Sequence, residues 1–263
     1  LVPTFGGDDP ARSTLHSPRW SPAGDRIAFL KTAGGGGFLL TAAADTGAVL
    51  APRQPLFAAQ RYAWSPDGVQ IAWAGGRSDV SPVDVNVYTV AESSTAIVKD
   101  TNATSVDFDP FNGSVLFANS DATGNPFAAI PFTLRAGGVY SYRPPAPPTP
   151  VFTGAGAYDD VAVLWRGAVG FTQWSEDQRT KSIQVVSPGG PPHTIAETRS
   201  DGPGPEWVGE TVAYLGTGDD RPLVIATKRD MAAGKHNDQN KQDEREGEAL
   251  QIDVGVDAFA WGD

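Results

Sequence analysis

Short apolar segments alternate with polar turns along the chain, and the apolar positions inside them recur at every second residue. Ile27–Phe29 and Ile71–Trp73 both show this alternation. A period of two is that of a β-strand with one side chain in a core and the next facing away. Each segment follows a Ser-Pro-x-Gly turn, in which proline fixes φ and glycine accepts a positive φ. The pattern therefore predicts many short strands joined by tight turns.

This strand–turn–strand unit is repeated. Residues 18–29 read PRWSPAGDRIAF, and residues 62–73 read YAWSPDGVQIAW, without a gap and at a spacing of 44 residues. A third copy at 106–117 carries one extra residue in its turn. Weaker copies occur in three further places: 161–171, 205–214 and, incomplete, 257–262. A unit that recurs in this way is the signature of a repeat architecture.

Each unit also predicts two further strands. The third strand of the units is predicted at Phe38–Ala43, Val85–Val90, Val139–Tyr142, Ile183–Val186 and Leu223–Ala226. The fourth strand is predicted at Pro55–Ala58, Ala96–Val98, Pro150–Phe152, Thr194–Ala196 and Leu250–Ile252. Four strands in a period of about 45 residues are typical of a propeller blade. The chain is therefore predicted to be an all-β protein, a β-propeller of four-stranded antiparallel blades.

The run WSPDGVQIAW at 64–73 resembles the repeat of the TolB-type β-propellers, also called the PD40 or WD40-like repeat. Taken as a periodic set, the resemblance covers nearly the whole chain. It implies six blades, of which the sixth is incomplete in this sequence, and a five-bladed ring is the alternative. A single propeller domain over 1–263 is then divided into blades at 17–60, 61–103, 104–157, 158–203 and 204–255, with 256–263 and the N-terminal segment closing the ring.

Tryptophan recurs where the first strand of a unit ends. The residues concerned are Trp20, Trp64, Trp207 and Trp261. A large ring that recurs at one place per blade is expected to fill the same gap between neighbouring blades. We therefore interpret these rings as packing residues rather than as a binding platform. Trp174 ends a different strand, and we expect its ring to be exposed.

Composition narrows the classes of function. The chain has 31 acidic and 20 basic residues, for a net charge of −11. Binding to nucleic acid is not expected, because phosphate groups require a basic surface. No apolar stretch approaches the ~20 residues of a membrane-spanning helix. The absence of cysteine excludes disulfides, thiol nucleophiles and thiolate metal sites.

Motifs for catalysis or metal binding are weak. Asp45-Thr46-Gly47 is similar to the active-site turn of aspartic proteases, but that chemistry needs two carboxylates and the chain has no second such triplet. The three histidines lie in different units and lack the spacing of a zinc site. Acidic pairs such as Asp159-Asp160 fall near predicted loops and could hold calcium as a structural ion. We expect no other cofactor.

Two insertions interrupt the period, at 120–136 and 229–248, on opposite faces of the predicted propeller. The first carries apolar side chains that the fold does not require, and exposed apolar patches mark interaction sites. The alternative is that this segment packs against its own blade. The second insertion is highly charged. The candidate partner-binding residues are Phe127, Ile130, Phe132, Leu134, Arg229 and Lys235.

These observations favour a non-catalytic scaffold for protein–protein interactions. The resemblance to TolB-type propellers implies a periplasmic or otherwise extracytoplasmic bacterial protein, serving as an accessory subunit of an envelope complex that includes membrane-associated partners. One alternative is an enzyme or ligand-binding propeller with a site at the central channel. The first strands would bring five candidate residues there: His16, Arg19, Arg61, Asp107 and Glu206. A third alternative is the propeller of a prolyl-oligopeptidase-like peptidase, although this sequence contains no α/β-hydrolase half.

Overall fold

The structure is a computed structural model of the chain. It describes residues 14–33, 36–56, 62–75, 83–90, 94–98, 101–120, 136–164, 167–202, 204–209, 211–217, 222–227 and 250–252. Within these ranges the regular secondary structure consists of β-strands, and no helix there has the length and hydropathy that a membrane crossing requires.

The strands form five four-stranded antiparallel sheets, each built from four consecutive strands. The first two sheets contain β1 (Thr14–Trp20), β2 (Arg26–Ala33), β3 (Gly36–Ala43), β4 (Val49–Leu56), β5 (Tyr62–Trp64), β6 (Gln70–Gly75), β7 (Asp84–Thr89) and β8 (Ser94–Val98). The other three contain β9 (Ala103–Phe108), β10 (Val115–Asn119), β11 (Gly137–Tyr142), β12 (Thr149–Gly154), β13 (Tyr158–Val163), β14 (Val169–Trp174), β15 (Thr180–Val186), β16 (Pro192–Arg199), β17 (Glu206–Val208), β18 (Thr211–Leu215), β19 (Leu223–Thr227) and β20 (Leu250–Ile252). These sheets are the blades of a β-propeller, and we number them 1 to 5.

The predicted fold class is confirmed, with five blades in the described part of the chain. The predicted sixth unit at 256–263 and the N-terminal segment that would close the ring lie outside the described residues. One strand was placed wrongly: the fourth strand of blade 1 begins at Val49, whereas we predicted it at Pro55–Ala58. The reason is a tight turn, in which Gly47 has a φ of 66° and donates its N–H to the Ala43 carbonyl at 2.9 Å. The chain therefore reverses early and pairs with β3 at once.

The turn between the first and second strands of a blade owes its shape to the repeated serine. In blade 2 the Gln70 N–H donates to the Ser65 hydroxyl at 2.8 Å, and the Ser65 N–H donates to the Gln70 carbonyl at 2.9 Å. Gly68 completes the turn with a φ of 69°. The same arrangement occurs in blade 1, where the Arg26 N–H donates to the Ser21 hydroxyl at 3.1 Å. The repeat motif is thus a hydrogen-bonded turn that starts each second strand in a constant register.

The apolar core is divided among the gaps between successive blades. One cluster joins blades 1 and 2, another joins blades 2 and 3, and two more join blades 3 to 4 and 4 to 5. Phe117 and Phe171, for example, are fully buried in two of these clusters. Each blade therefore buries its apolar faces only against its neighbours, as in other repeat proteins.

The first strands of the blades are also bonded to one another. The Tyr62 hydroxyl of β5 lies 2.6 Å from the Ser17 carbonyl of β1, and the Val161 N–H of β13 donates to the Ser105 hydroxyl of β9 at 3.1 Å. The blades of a propeller converge towards its axis, so their innermost strands lie closest to one another. The first strands therefore surround the central channel, as the propeller fold requires.

The periodic tryptophans pack as predicted in two blades. The Trp64 indole donates to the Arg19 carbonyl of the preceding blade at 3.2 Å. The Trp207 ring lies so close to the preceding blade that a Cβ on Gly170 would be 2.6 Å from it. Trp20 differs, because its side chain is 55% exposed and no described blade precedes blade 1. The fourth of these residues, Trp261, lies outside the described residues.

Candidate functional site

The predicted partner-binding residues cannot be placed in this structure. Phe127, Ile130, Phe132, Leu134, Arg229 and Lys235 all lie outside the described residues. Of the first insertion, 120–136, the structure describes only the two end residues, Ser120 and Ala136. The assignment of these side chains to partner binding stays a prediction.

Three exposed apolar side chains lie on the side of the propeller that carries the turns between first and second strands. Phe111 is 59% exposed in the turn of blade 3, and Val69 is 44% exposed in the turn of blade 2. Val208 is 49% exposed at the end of β17, where the corresponding turn of blade 5 begins. We call these three residues the turn face. Their side chains do not contribute to the described core clusters, and exposed apolar groups on one side of a protein are candidate contacts for a partner.

Phe111 is held outward by a rigid turn. The Asp109 carboxylate accepts the Phe111 N–H at 2.8 Å and the Asn112 side-chain amide at 2.7 Å. The Asn112 side-chain oxygen accepts the Ser114 N–H at 2.8 Å, and Gly113 has a φ of 71°. This is the turn with one extra residue in the third repeat. The insertion was visible in the sequence, but its exposure was not, so sequence reasoning missed Phe111 as a surface residue.

The turns of blades 1 and 2 lie close together on this side of the propeller. A Cβ on Gly68, beside Val69, would be 3.6 Å from the Pro22 ring in the turn of blade 1. The turn of blade 2 at Gly68 therefore lies beside the Pro22 side chain in the turn of blade 1. A partner that covers Val69 would also contact the turn of blade 1.

The central channel brings together three charged residues from the same position of the repeat, directly before its aromatic residue. Arg19 and Glu206 form an ion pair, with 3.9 Å between Nη2 and Oε1. The Asp107 carboxylate accepts the Val163 N–H at 3.1 Å. His16 is exposed and contacts the Ser17 hydroxyl at 3.2 Å, whereas Arg61 lies outside the described residues.

Burial raises the pKa of Asp107 to about 6, although the Val163 and Phe108 N–H groups and the charge of Arg19 act in the opposite direction. A carboxyl group with this pKa exchanges its proton near neutral pH, which is a property of general acids and bases and also of buried structural groups. The channel is therefore chemically able to bind a small charged ligand. Among the described residues, no group of three or more His, Cys, Asp or Glu could hold a metal ion.

The acidic pair that we considered for calcium is engaged by a lysine. Lys181 Nζ lies 2.9 Å from Asp159 Oδ2 and 3.0 Å from Asp160 Oδ2, and its side chain is only 7% exposed. The Thr172 hydroxyl donates to Asp160 Oδ2 at 2.7 Å. Lys181 Nζ also lies 4.5 Å from the centroid of the Trp174 ring, which is half-buried rather than exposed as we expected. We call these five residues the ion cluster of blade 4.

No family model and no curated protein matches the chain. Solved structures do match it in fold. TolB from Acinetobacter baumannii is 12% identical, with a TM-score of 0.62 over 83% of this chain and 53% of that protein. A putative TolB from Agrobacterium tumefaciens is 14% identical, with a TM-score of 0.60 over 91% of this chain and 80% of that one.

A third similar structure is the β-propeller domain of the trilobed protease from Pyrococcus furiosus, described as having an open velcro topology. It is 13% identical, with a TM-score of 0.59 over 99% of this chain and 77% of that one. The chain matches only about half the length of the Acinetobacter TolB. The TM-scores establish a TolB-like propeller fold, and at identities this low the similarity shows the fold alone, which by itself leaves the activity open.

Proposed function

We propose that this protein is a non-catalytic propeller that binds another protein through its turn face. The observation that carries the proposal is Phe111, a phenylalanine added to a repeat turn, held outward by Asp109 and 59% exposed. Val69 and Val208 are further exposed apolar side chains on the same side of the propeller. Aromatic anchors surrounded by smaller apolar contacts are characteristic of the energetic centre of protein interfaces.

Charge and fold support this function and indicate the kind of partner. The chain carries a net charge of −11, so a partner with a basic rim around an apolar centre would be steered towards it. The TolB-like fold supports the further proposal of an extracytoplasmic bacterial protein that is an accessory subunit of an envelope complex. The loops supply the specificity, because the blades are a scaffold.

The test compares two double variants in cross-linked pull-downs from the native envelope fraction. We expect Phe111→Ser with Val208→Ser to weaken capture of a stoichiometric partner by about 30-fold or more, which corresponds to about 2 kcal/mol for a buried aromatic anchor. The control, Ile97→Ser with Val151→Ser, removes two exposed apolar side chains from outer parts of blades 2 and 3.

Both variants should keep the wild-type melting temperature within about 2 °C, because exposed substitutions change stability by no more than about 0.5 kcal/mol. Equal partner capture by the two variants would refute the turn face as the binding surface. The separate prediction for the insertion is tested in the same assay with Phe127→Ser, Ile130→Ser and Phe132→Ser. There, a lower melting temperature with unchanged capture would assign the insertion to packing.

A second candidate function is binding or conversion of a small molecule at the central channel. Asp107, with its pKa raised to about 6, and the Arg19–Glu206 ion pair favour it, since they place ionisable groups of both signs in one channel. Native mass spectrometry of protein purified from its own cells would test it. A retained small molecule that is lost in the Arg19→Gln variant supports this function, and an empty wild-type protein with a bound partner protein favours the scaffold.

A further inference from the structure

A cavity of about 770 Å³ lies between blades 3 and 4, on the side of the propeller opposite the turn face. The start of β13, the end of β14 and the loop that follows β14 form its walls, with Thr104 and Ser120 contributed by blade 3. This volume is within the range of about 300–1,000 Å³ that is usual for binding pockets. It is large enough for one long side chain with the neighbouring residues of its own chain.

The described wall of the cavity carries negative charge only. Asp159 and Glu176 line it, and no lysine, arginine or histidine of the described residues does so. Lys181 lies behind the wall and contacts both Asp159 and Asp160. Lys181 is therefore engaged by Asp159 and Asp160, and Glu176 adds an exposed carboxylate to the wall that Lys181 does not contact in the described ion pairs.

An aromatic ring stands beside these carboxylates. Trp174 lines the cavity, and the position of Lys181 Nζ, 4.5 Å from its centroid, shows that the ring already accepts one cation. The face of an indole is the strongest of the side-chain partners for cations. An acidic wall with a tryptophan therefore has the chemistry that recognises an ammonium or guanidinium group.

The wall is also held in place before any ligand binds. The Gln173 side-chain amide donates to the Ala155 carbonyl at 3.1 Å and accepts a hydrogen bond from the Gln184 amide at 2.8 Å. The loop after β14 is fixed by the Ser175 hydroxyl, which donates to Asp177 at 2.8 Å. A pre-formed wall lowers the entropic cost of binding.

We propose that the cavity between blades 3 and 4 binds a lysine or arginine side chain, with its cationic head between Asp159 and Glu176 and beside the Trp174 ring. A segment of a partner protein supplies this side chain, and this part of the proposal rests on the function proposed above. The carboxylates of the wall, Asp159 and Glu176, favour a cation over a neutral sugar, which could also bind to the tryptophan and the amides.

The experiment uses a blocked tripeptide with a central arginine as the probe and the same peptide with citrulline, its neutral isostere, as the matched ligand. The readout is the indole N–H signal of Trp174 in a ¹H–¹⁵N spectrum, assigned by its loss in Trp174→Phe. We expect the arginine peptide to shift this signal saturably, with a Kd on the order of 1 mM. Glu176→Gln should weaken that binding at least threefold.

Glu197→Gln is the control variant, because Glu197 is an exposed glutamate on β16 of the same blade, but does not line the cavity. It should leave the Kd of the arginine peptide unchanged. Equal shifts with the citrulline peptide, or a shift with maltotriose alone, would overturn the assignment to a cation. So would the absence of any shift at 20 mM arginine peptide.

The two proposals fail separately. If the arginine peptide binds but no partner is captured through the turn face, the cavity assignment is supported and the scaffold function is wrong. If a partner is captured and lost in the Phe111→Ser variant while the arginine peptide gives no shift, the cavity assignment alone is overturned.

Discussion

Replacement of Lys181 with methionine removes the only cation from the ion cluster of blade 4 and leaves its two carboxylates in place. Lys181 is 7% exposed, and Asp159 and Asp160 are also largely withdrawn from solvent. Methionine preserves the length of the side chain and much of its contact with Trp174. The variant therefore tests the electrostatics of the cluster more than its packing.

The expected loss is large because a buried charge keeps its desolvation cost when its partner is removed. Removing one member of a buried ion pair costs about 3–5 kcal/mol, and a partly buried cation–π contact adds about 1 kcal/mol. Asp159 keeps some solvent access, so we expect a loss near the lower limit, about 3 kcal/mol at pH 7. With a urea m-value of about 3 kcal/mol/M, the unfolding midpoint should fall by about 1 M.

The loss should also depend on pH. Burial and then the charge of Asp160 raise the pKa of Asp159, whereas Lys181 lowers it, so removal of Lys181 raises this pKa further. A carboxyl group with a raised pKa in the folded state binds its proton more tightly there than when unfolded. Its contribution to stability is present at low pH and lost as the pH rises through the folded pKa. The deficit of the variant should therefore shrink from about pH 7 towards pH 4.5.

Urea unfolding followed by fluorescence and circular dichroism at several pH values measures both effects. Arg179→Met is the control, because it removes a cation two residues away whose ion pair with Asp177 is exposed, and it should cost less than about 0.5 kcal/mol. A loss below 1 kcal/mol at pH 7 for Lys181→Met, or a loss that does not vary with pH, would refute the reasoning. Either result would mean that solvent screens the cluster as it screens a surface pair.

Two further predictions concern the inner strands. The pKa of Asp107 is raised to about 6, so the wild-type protein should gain stability as the pH falls through 6. Asp107→Asn should abolish that gain in urea midpoints measured between about pH 7.5 and 4.5. A parallel pH dependence in both proteins would contradict this. Tyr62→Phe should lower the free energy of unfolding by about 1–2 kcal/mol, because the Tyr62 hydroxyl lies 2.6 Å from the carbonyls of both Ser17 and Ala28 and its loss leaves a buried acceptor without its donor. An unchanged urea midpoint would show that this contact between blades contributes nothing to stability.

Most strands could be predicted because their causes are local. Alternating apolar residues define each second and third strand, and the serine, proline and glycine of the turn place the reversal between strands. The strand β4 was misplaced because the prediction gave more weight to the apolar residues at 55–58 than to the turn at Gly47. The turn decides, since a chain that reverses tightly forms its next pairing immediately.

The candidate sites could be predicted only in part. The alternative of a channel site placed Arg19, Asp107 and Glu206 on the inner strands, and the ion pair between Arg19 and Glu206 agrees with that placement. The cavity between blades 3 and 4 has no such signal. Its residues come from four separate segments of the chain that become neighbours only when two blades pack.

The sequence by itself determined the blade, because the information for a strand, its turn and its repetition lies within about 45 residues. Tertiary structure decided which side chains face water and which charges meet. Asp159 and Asp160 looked like a calcium pair in the sequence, and only the pairing of β13, β14 and β15 placed Lys181 between them. Electrostatic partners and pKa values depend on burial and on distances across strands, and those quantities exist only once the blades have assembled.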